Sequence, residues 1–127
     1  MTFALWCIFV GLWLPLVWSI TAKWGSPNYD NSRPRDWMAT QEGWRQRALW
    51  AQANAWEAFA PFAAAVLTAH FTGADQTAAS WLAALFIVSR TLHGVFYIVD
   101  RSTLRSVAWL GGMVAVVGLF VAAALGA

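Results

Sequence analysis

Charged residues are scarce in this sequence: Lys, Arg, Asp and Glu make up 11% of its 127 residues. Soluble domains contain about 25%. With 60% hydrophobic residues, this scarcity excludes an ordinary soluble domain and indicates a membrane protein. The eight basic residues are spread along the chain without forming a basic patch, so we expect no nucleic-acid partner. A single cysteine, Cys7, excludes an intrachain disulfide.

Long apolar runs dominate the rest of the chain. The first 22 residues and the last 22 contain no charge, and each run exceeds the roughly 18 residues of a spanning helix. The first run lacks a basic start, so we expect a retained helix rather than a cleaved signal peptide. The segment at about 44–71 is long enough to cross the membrane only if Asn54 and Glu57 lie inside the membrane. The short turn that follows the segment favours this interpretation. The sequence therefore predicts an all-α, integral membrane four-helix bundle forming one domain over 1–127, with spans at about 1–22, 44–71, 77–100 and 106–126.

The basic residues outside the apolar runs all fall on one side of these predicted helices. They lie between helices 1 and 2 or between helices 3 and 4: Lys23, Arg33, Arg35, Arg45, Arg47, Arg101 and Arg105. The positive-inside rule then places loop 23–43 in the cytoplasm and both termini outside. Because loop 23–43 is rich in Asn, Asp, Ser, Gly and Pro, we expect ordered turns there rather than helix.

Two polar residues of opposite charge are predicted at the same membrane depth. Glu57 and Arg90 each lie about ten residues from the cytoplasmic end of their helix, or about 15 Å deep at 1.5 Å per residue. That depth is close to the midplane of a hydrocarbon core about 30 Å thick. Either charge alone would be costly there, so we expect the two to be partners.

Further polar residues continue from this pair toward the cytoplasm at helical spacing. Depth counting puts Asn54 level with His93 and Gly94, and Trp50 level with Tyr97. Gly94 leaves room for close approach, and Pro61 removes a backbone donor, which predicts a kink. The two stripes are Arg47, Trp50, Asn54, Glu57 and Pro61 on helix 2, and Arg90, His93, Tyr97, Arg101 and Arg105 on or after helix 3. They indicate either a clamp between helices or a polar cavity open to the cytoplasm.

The stripes favour an anionic ligand. Excess arginine suits carboxylates, whereas Glu57 and Asn54 can hold an ammonium or an amide. Arginine or tyrosine can also stabilise a thiolate. Glutathione fits this inventory, although composition alone does not single it out. Two histidines, His70 and His93, fall in opposite halves of the membrane, so no metal site is expected.

The order N54-x-x-E57, P61-F62 and R90-x-x-H93-x-x-x-Y97 in a chain of this size resembles the MAPEG family, the membrane-associated proteins in eicosanoid and glutathione metabolism. The resemblance covers essentially the whole chain and is to a bacterial subgroup of the family, which implies a bacterial inner-membrane protein. It implies a homotrimer of four-helix bundles in the lipid membrane, with glutathione bound between subunits on the cytoplasmic side. A hydrophobic small molecule is the implied second substrate.

The resemblance also implies roles for the polar stripes. Asn54, Glu57, Arg90 and Tyr97 would bind glutathione, together with Arg47 and His93 of the same stripes. Arg105 would stabilise the thiolate together with Tyr97, and Arg101 is the second candidate for the role of Arg105. The implied activity is a glutathione-dependent transferase or peroxidase; the alternative is a non-catalytic lipid-binding or scaffolding protein of the same family. A small multidrug transporter is disfavoured because the first apolar run has no carboxylate.

Overall fold

The computed structural model describes residues 1–126, and this part of the chain is helical with no strand. It contains one short helix and four long ones. Their bounds are α1 Phe3–Lys23, α2 Pro34–Ala39, α3 Gly43–Phe71, α4 Gln76–Ile98 and α5 Ser102–Gly126.

The four long helices pack side by side, each antiparallel to the one before it. Both α3 and α4 contact all three of the other long helices, whereas α1 and α5 make no comparable contact with each other. The core between them includes Phe62 and Phe86, whose rings stack with centres 3.8 Å apart. We call the end with residues 23–47 and 98–105 the basic end, and the end with residues 72–75 the turn end.

Three of the helices, α1, α4 and α5, are long and apolar enough to cross a membrane. The remaining long helix, α3, has 29 residues, but its first half is too polar to meet that criterion. Large apolar side chains cover the outside of the bundle, including Trp6, Trp13 and Val107, each at least half exposed. Such a surface suits lipid rather than water.

Short polar contacts fix the helix ends. At the turn end, Gly73 has a φ of 77°, and the carboxylate of Asp75 accepts a hydrogen bond of 2.7 Å from the Ala78 amide at the start of α4. At the basic end, Arg45 Nη1 donates to the Ala22 and Trp24 carbonyl oxygens at 2.7 and 2.9 Å. These contacts fasten the end of α1 to the start of α3.

The expectation that loop 23–43 contains only turns is wrong, because α2 lies inside it. Pro34 takes the first helical position, where its fixed φ suits a helix and its missing N–H costs nothing. Trp37 is only 5% exposed and donates from Nε1 to Ser26 Oγ at 3.2 Å. Burial of this indole therefore stabilises the short helix.

In the same loop, hydrogen bonds from the hydroxyl and the amide of Ser32 lower the pKa of Asp30.

The boundary between the last two helices differs from the prediction. α4 ends at Ile98 rather than continuing to about residue 100, and α5 begins at Ser102 rather than at about residue 106. Asp100 between them has a φ of 60°, a left-handed conformation that ends the helix. Arg101 therefore lies in the turn, and Arg105 lies on the first turn of α5 instead of extending the stripe of α4.

Small residues let the helices of the bundle approach closely. A side chain at Gly94 of α4 would collide with the indole of Trp18 on α1. A Cβ at Gly118 of α5 would lie 2.8 Å from Leu82 of α4. The space beside Gly94 that the sequence leaves for a neighbour or a ligand is therefore filled by Trp18.

We expect Gly94→Ala to lower the free energy of unfolding by about 1–3 kcal/mol, because the added methyl group must displace a buried indole. The matched control is Gly11→Ala, since its new Cβ would lie 3.5 Å from the Phe59 ring, an ordinary contact. That variant should be as stable as the parent or gain up to about 1 kcal/mol from helix propensity. Thermal unfolding of the detergent-solubilised protein measures both, and equal stability of the two variants would contradict the close packing.

Candidate functional site

Asn54 on α3 joins the two charged residues near the middle of the bundle. Arg90 Nη2 on α4 donates to Asn54 Oδ1 at 2.5 Å. Asn54 Nδ2 in turn donates to Glu57 Oε2 at 3.5 Å. The expected direct pairing of Glu57 with Arg90 is wrong: within residues 1–126 the one ion pair is Arg33–Asp36. The reason is geometric, because Asn54 lies one helical turn from Glu57 and faces Arg90.

The guanidinium of Arg90 is held deep inside the bundle. Arg90 is only 3% exposed, and its Nε has no hydrogen-bond partner. Its stem fits against Gly112 of α5, where a Cβ would lie 3.1 Å from Arg90 Cδ. Glu57, by contrast, is exposed on the outer face of α3. Asn54 therefore separates a buried cation from a carboxylate that faces outward.

A cavity of about 250 Å³ extends from Asn54 toward the basic end, and we call it the polar groove. The guanidinium carbon of Arg105 lies 4.4 Å from the centre of the Tyr97 ring. The His93 ring meets the edge of Tyr97 at 5.5 Å, and the buried Nδ1 of His93 has no partner. The polar groove is lined by Asn54, His93, Tyr97, Arg105, Ser106 and Trp109.

Two further cavities meet at Asn54. One, of about 370 Å³, lies on the outer face of α3 beside Trp50, Glu57 and Tyr97. The rings of Trp50 and Tyr97 are 6.2 Å apart, which confirms that these residues lie at one level. The other, of about 190 Å³, lies between α3, α4 and α5 next to Glu57 and Arg90, and we call it the midplane cavity.

Two of the predicted site residues lie elsewhere. Arg47 donates from Nε to the Ile98 carbonyl oxygen at 3.0 Å, so it fastens the end of α4 to α3. Arg101 is exposed at the turn between α4 and α5, beside a separate cavity with Asp100 and Ser102. Neither residue lines the polar groove.

Apart from Arg105, sequence reasoning missed the contribution of α5. Trp109, Gly112, Met113 and Val116 line the midplane cavity, and Trp109 also lines the polar groove. The apolar sequence of α5 gives no polar stripe that would mark a lining face. The available signal was the helical spacing from Arg105 to Trp109, Gly112 and Val116, which places these four residues on one face.

The fold and these cavities define a helical membrane protein with a cationic site between its helices. The chain belongs to the MAPEG family, whose sequence model matches residues 3–125. The family resemblance found in the two polar stripes is thereby confirmed. Membership and three membrane-length apolar helices together indicate an integral membrane protein. No curated protein matches the chain significantly.

We expect Asn54→Ala to cost about 1.5–3 kcal/mol of unfolding free energy, because it removes the hydrogen bond to a buried charged donor. Gln52→Ala is the matched control: it truncates an amide on the same helix whose buried Oε1 has no partner. Gln52→Ala should lower the free energy of unfolding by less than Asn54→Ala does. In an Arg90→Leu background the cost of Asn54→Ala should largely disappear, and a full cost retained there would refute the contact between Asn54 and Arg90.

Proposed function

We propose that the protein is a membrane-bound, glutathione-dependent transferase or peroxidase that acts on a hydrophobic electrophile. The observation that carries this proposal is the contact between Arg105 and Tyr97 in the wall of the polar groove. A cation and a phenol in one cavity can stabilise a sulfur anion. Family membership supports glutathione as the source of that sulfur.

The residues around Asn54 suit the rest of glutathione. This peptide carries two carboxylates, an ammonium and amide groups. Arg90 has only neutral Asn54 as a partner, so its guanidinium retains a charge that a carboxylate can match. Glu57 is exposed and can accept an ammonium or an amide N–H. His93 adds an imidazole whose Nδ1 has no partner in the protein.

When bound, glutathione would supply a nucleophilic thiol. The protein's own contribution is electrostatic: Arg105 would provide the positive charge that favours the thiolate, and the Tyr97 hydroxyl would donate a hydrogen bond to it. Arg101 plays no part in this scheme because it lies outside the groove. Arg47 acts by holding α4 in place.

We further propose that α3 is the fourth span of one transmembrane domain and that three copies assemble. The outer face of α3 presents the exposed carboxylate of Glu57 with small neighbours, Ala53 and Ala60. A carboxylate facing lipid at this depth would be costly, whereas a second copy or a bound ligand can cover it. The basic end then faces the cytoplasm, and both termini lie outside the bacterial inner membrane.

The proposal predicts saturable glutathione binding to the purified trimer, followed by intrinsic tryptophan fluorescence. Glu57→Gln and Arg90→Leu should each weaken binding at least tenfold, because each removes one of the charges that the peptide would match. Circular dichroism and size exclusion establish that the variants are folded. A folded trimer that does not bind glutathione would refute the proposal and favour the lipid-binding or scaffolding role.

A second prediction separates the two arginines near the basic end. Arg105→Ala should lower kcat at least 100-fold with a reactive aryl halide while changing the glutathione Kd less than threefold, because Arg105 acts on the sulfur charge that develops. Arg101→Ala is the matched control and should leave kcat within twofold. Equal losses of turnover and binding in Arg105→Ala would contradict this division of roles.

A further inference from the structure

The basic end of α1 lies at the level of lipid headgroups. With 21 residues, α1 is about 31 Å long at 1.5 Å per residue, which matches a hydrocarbon core about 30 Å thick. Its last residue, Lys23, and the following Trp24 therefore reach one surface of the membrane. Trp24 is 77% exposed, and Trp44 at the start of α3 is exposed as well. Exposed indoles at this level are typical of the boundary between acyl chains and headgroups.

Arg45 is held beside these indoles with part of its guanidinium free to bind a ligand. Its two hydrogen bonds to the Ala22 and Trp24 carbonyl oxygens both use Nη1. The guanidinium carbon lies 4.5 Å from the centre of the Trp44 ring. Nε and Nη2 can still donate. Because Arg45 is only half-buried, a group at the membrane surface can reach it.

Lys23 places a second cation at the same end of α1. It lies between the two residues whose carbonyl oxygens Arg45 binds, and its Nζ is 4.9 Å from the centre of the Tyr29 ring. Within residues 1–126 the one ion pair joins Arg33 to Asp36, so no carboxylate neutralises either Lys23 or Arg45. Both cations are therefore available to an anion from outside the protein.

The acidic residues of this region leave an excess of positive charge. Residues 23–47 contain five basic and three acidic residues, a net charge of +2. Asp36 pairs with Arg33, and the Asp30 carboxylate accepts two hydrogen bonds from Ser32. The remaining acid, Glu42, is exposed and forms no side-chain hydrogen bond at the start of α3. The region therefore attracts anions from the membrane surface.

An apolar face of α1 leads from the two cations into the membrane. Ile20, Val17 and Trp13 follow Trp24 at spacings of three or four residues, so the four side chains lie on one face. All of them are exposed. The Trp13 ring meets the edge of Phe9 with centres 6.0 Å apart, which extends this face toward the other end of the helix. Acyl chains can lie along it while their headgroup stays at the level of Trp24.

We propose that Lys23 and Arg45 form a binding site for the phosphate of an anionic phospholipid whose acyl chains lie along the exposed face of α1. Guanidinium and ammonium groups form charge-assisted hydrogen bonds to phosphate oxygens. A zwitterionic phospholipid carries the same phosphate together with a cation that Lys23 and Arg45 would repel, so the site should prefer lipids with a net negative charge. Neither residue lines the polar groove or the midplane cavity, and the proposal does not depend on glutathione binding.

The test is native mass spectrometry of the detergent-solubilised protein titrated with dioleoyl phosphatidylglycerol or dioleoyl phosphatidylcholine. We expect saturable binding of phosphatidylglycerol with a Kd at least fivefold below that of phosphatidylcholine. Glycerol 3-phosphate, which has the phosphate but no acyl chains, should bind at least tenfold more weakly than phosphatidylglycerol. A smaller preference between the two lipids, or tighter binding of glycerol 3-phosphate than this, would overturn the proposal.

Matched variants locate the site. Lys23→Gln and Arg45→Gln each remove one of the two cations, whereas Arg35→Gln removes an exposed cation from the same loop. Each folded site variant should weaken phosphatidylglycerol binding at least fivefold and leave phosphatidylcholine binding within twofold. Arg35→Gln should change neither more than twofold.

Arg45→Gln also removes the hydrogen bonds that fasten α1 to α3, so this variant can lose its fold. Lys23→Gln keeps those bonds and tests the location by itself. Undiminished phosphatidylglycerol binding in folded Lys23→Gln, or an equal loss in Arg35→Gln, would refute the site. Glutathione binding measured on the same samples should be unchanged by Lys23→Gln, so the lipid site and the proposed transferase can fail independently.

Discussion

One buried guanidinium constrains the middle of this bundle. Arg90 is buried between α3, α4 and α5, and a cation in such a place must be matched by hydrogen bonds and charge. Asn54 supplies the hydrogen bond, Gly112 makes room for the stem, and Glu57 supplies the opposite charge at a distance. The three helices that meet at Arg90 also enclose both cavities of the candidate site, so packing and site share the same residues.

Much of this arrangement could be predicted from sequence because helix geometry is regular. Charge-free runs located α1 and α5, and counting residues placed Trp50 level with Tyr97. Depth counting cannot say which side chain of a stripe reaches across, so it paired Glu57 directly with Arg90 and missed the amide between them. It also missed the walls provided by α5, since a uniformly apolar helix gives no pattern that separates cavity-facing from lipid-facing residues.

The arginines at the basic end illustrate a second limit. Arg45, Arg47, Arg101 and Arg105 all lie at the same end of the predicted helices, and nothing in the sequence distinguishes their roles. In the structure, two of them bind backbone carbonyls at the ends of α1 and α4, one is exposed in a turn, and only Arg105 contacts Tyr97. The difference depends on where each helix ends, which is the feature that local sequence specifies least well.

The packing of Trp18 on Gly94 has a consequence for how this site could diverge. Trp18 belongs to α1, which lines neither the polar groove nor the midplane cavity, yet its indole fills the space behind the helix turn that bears His93. The contact between Trp18 and Gly94 sets how closely α1 approaches α4. Exchanging the bulk at these two positions would shift the His93 turn and reshape the polar groove while every polar residue stayed unchanged, so the shape of the groove depends on a helix that does not line it.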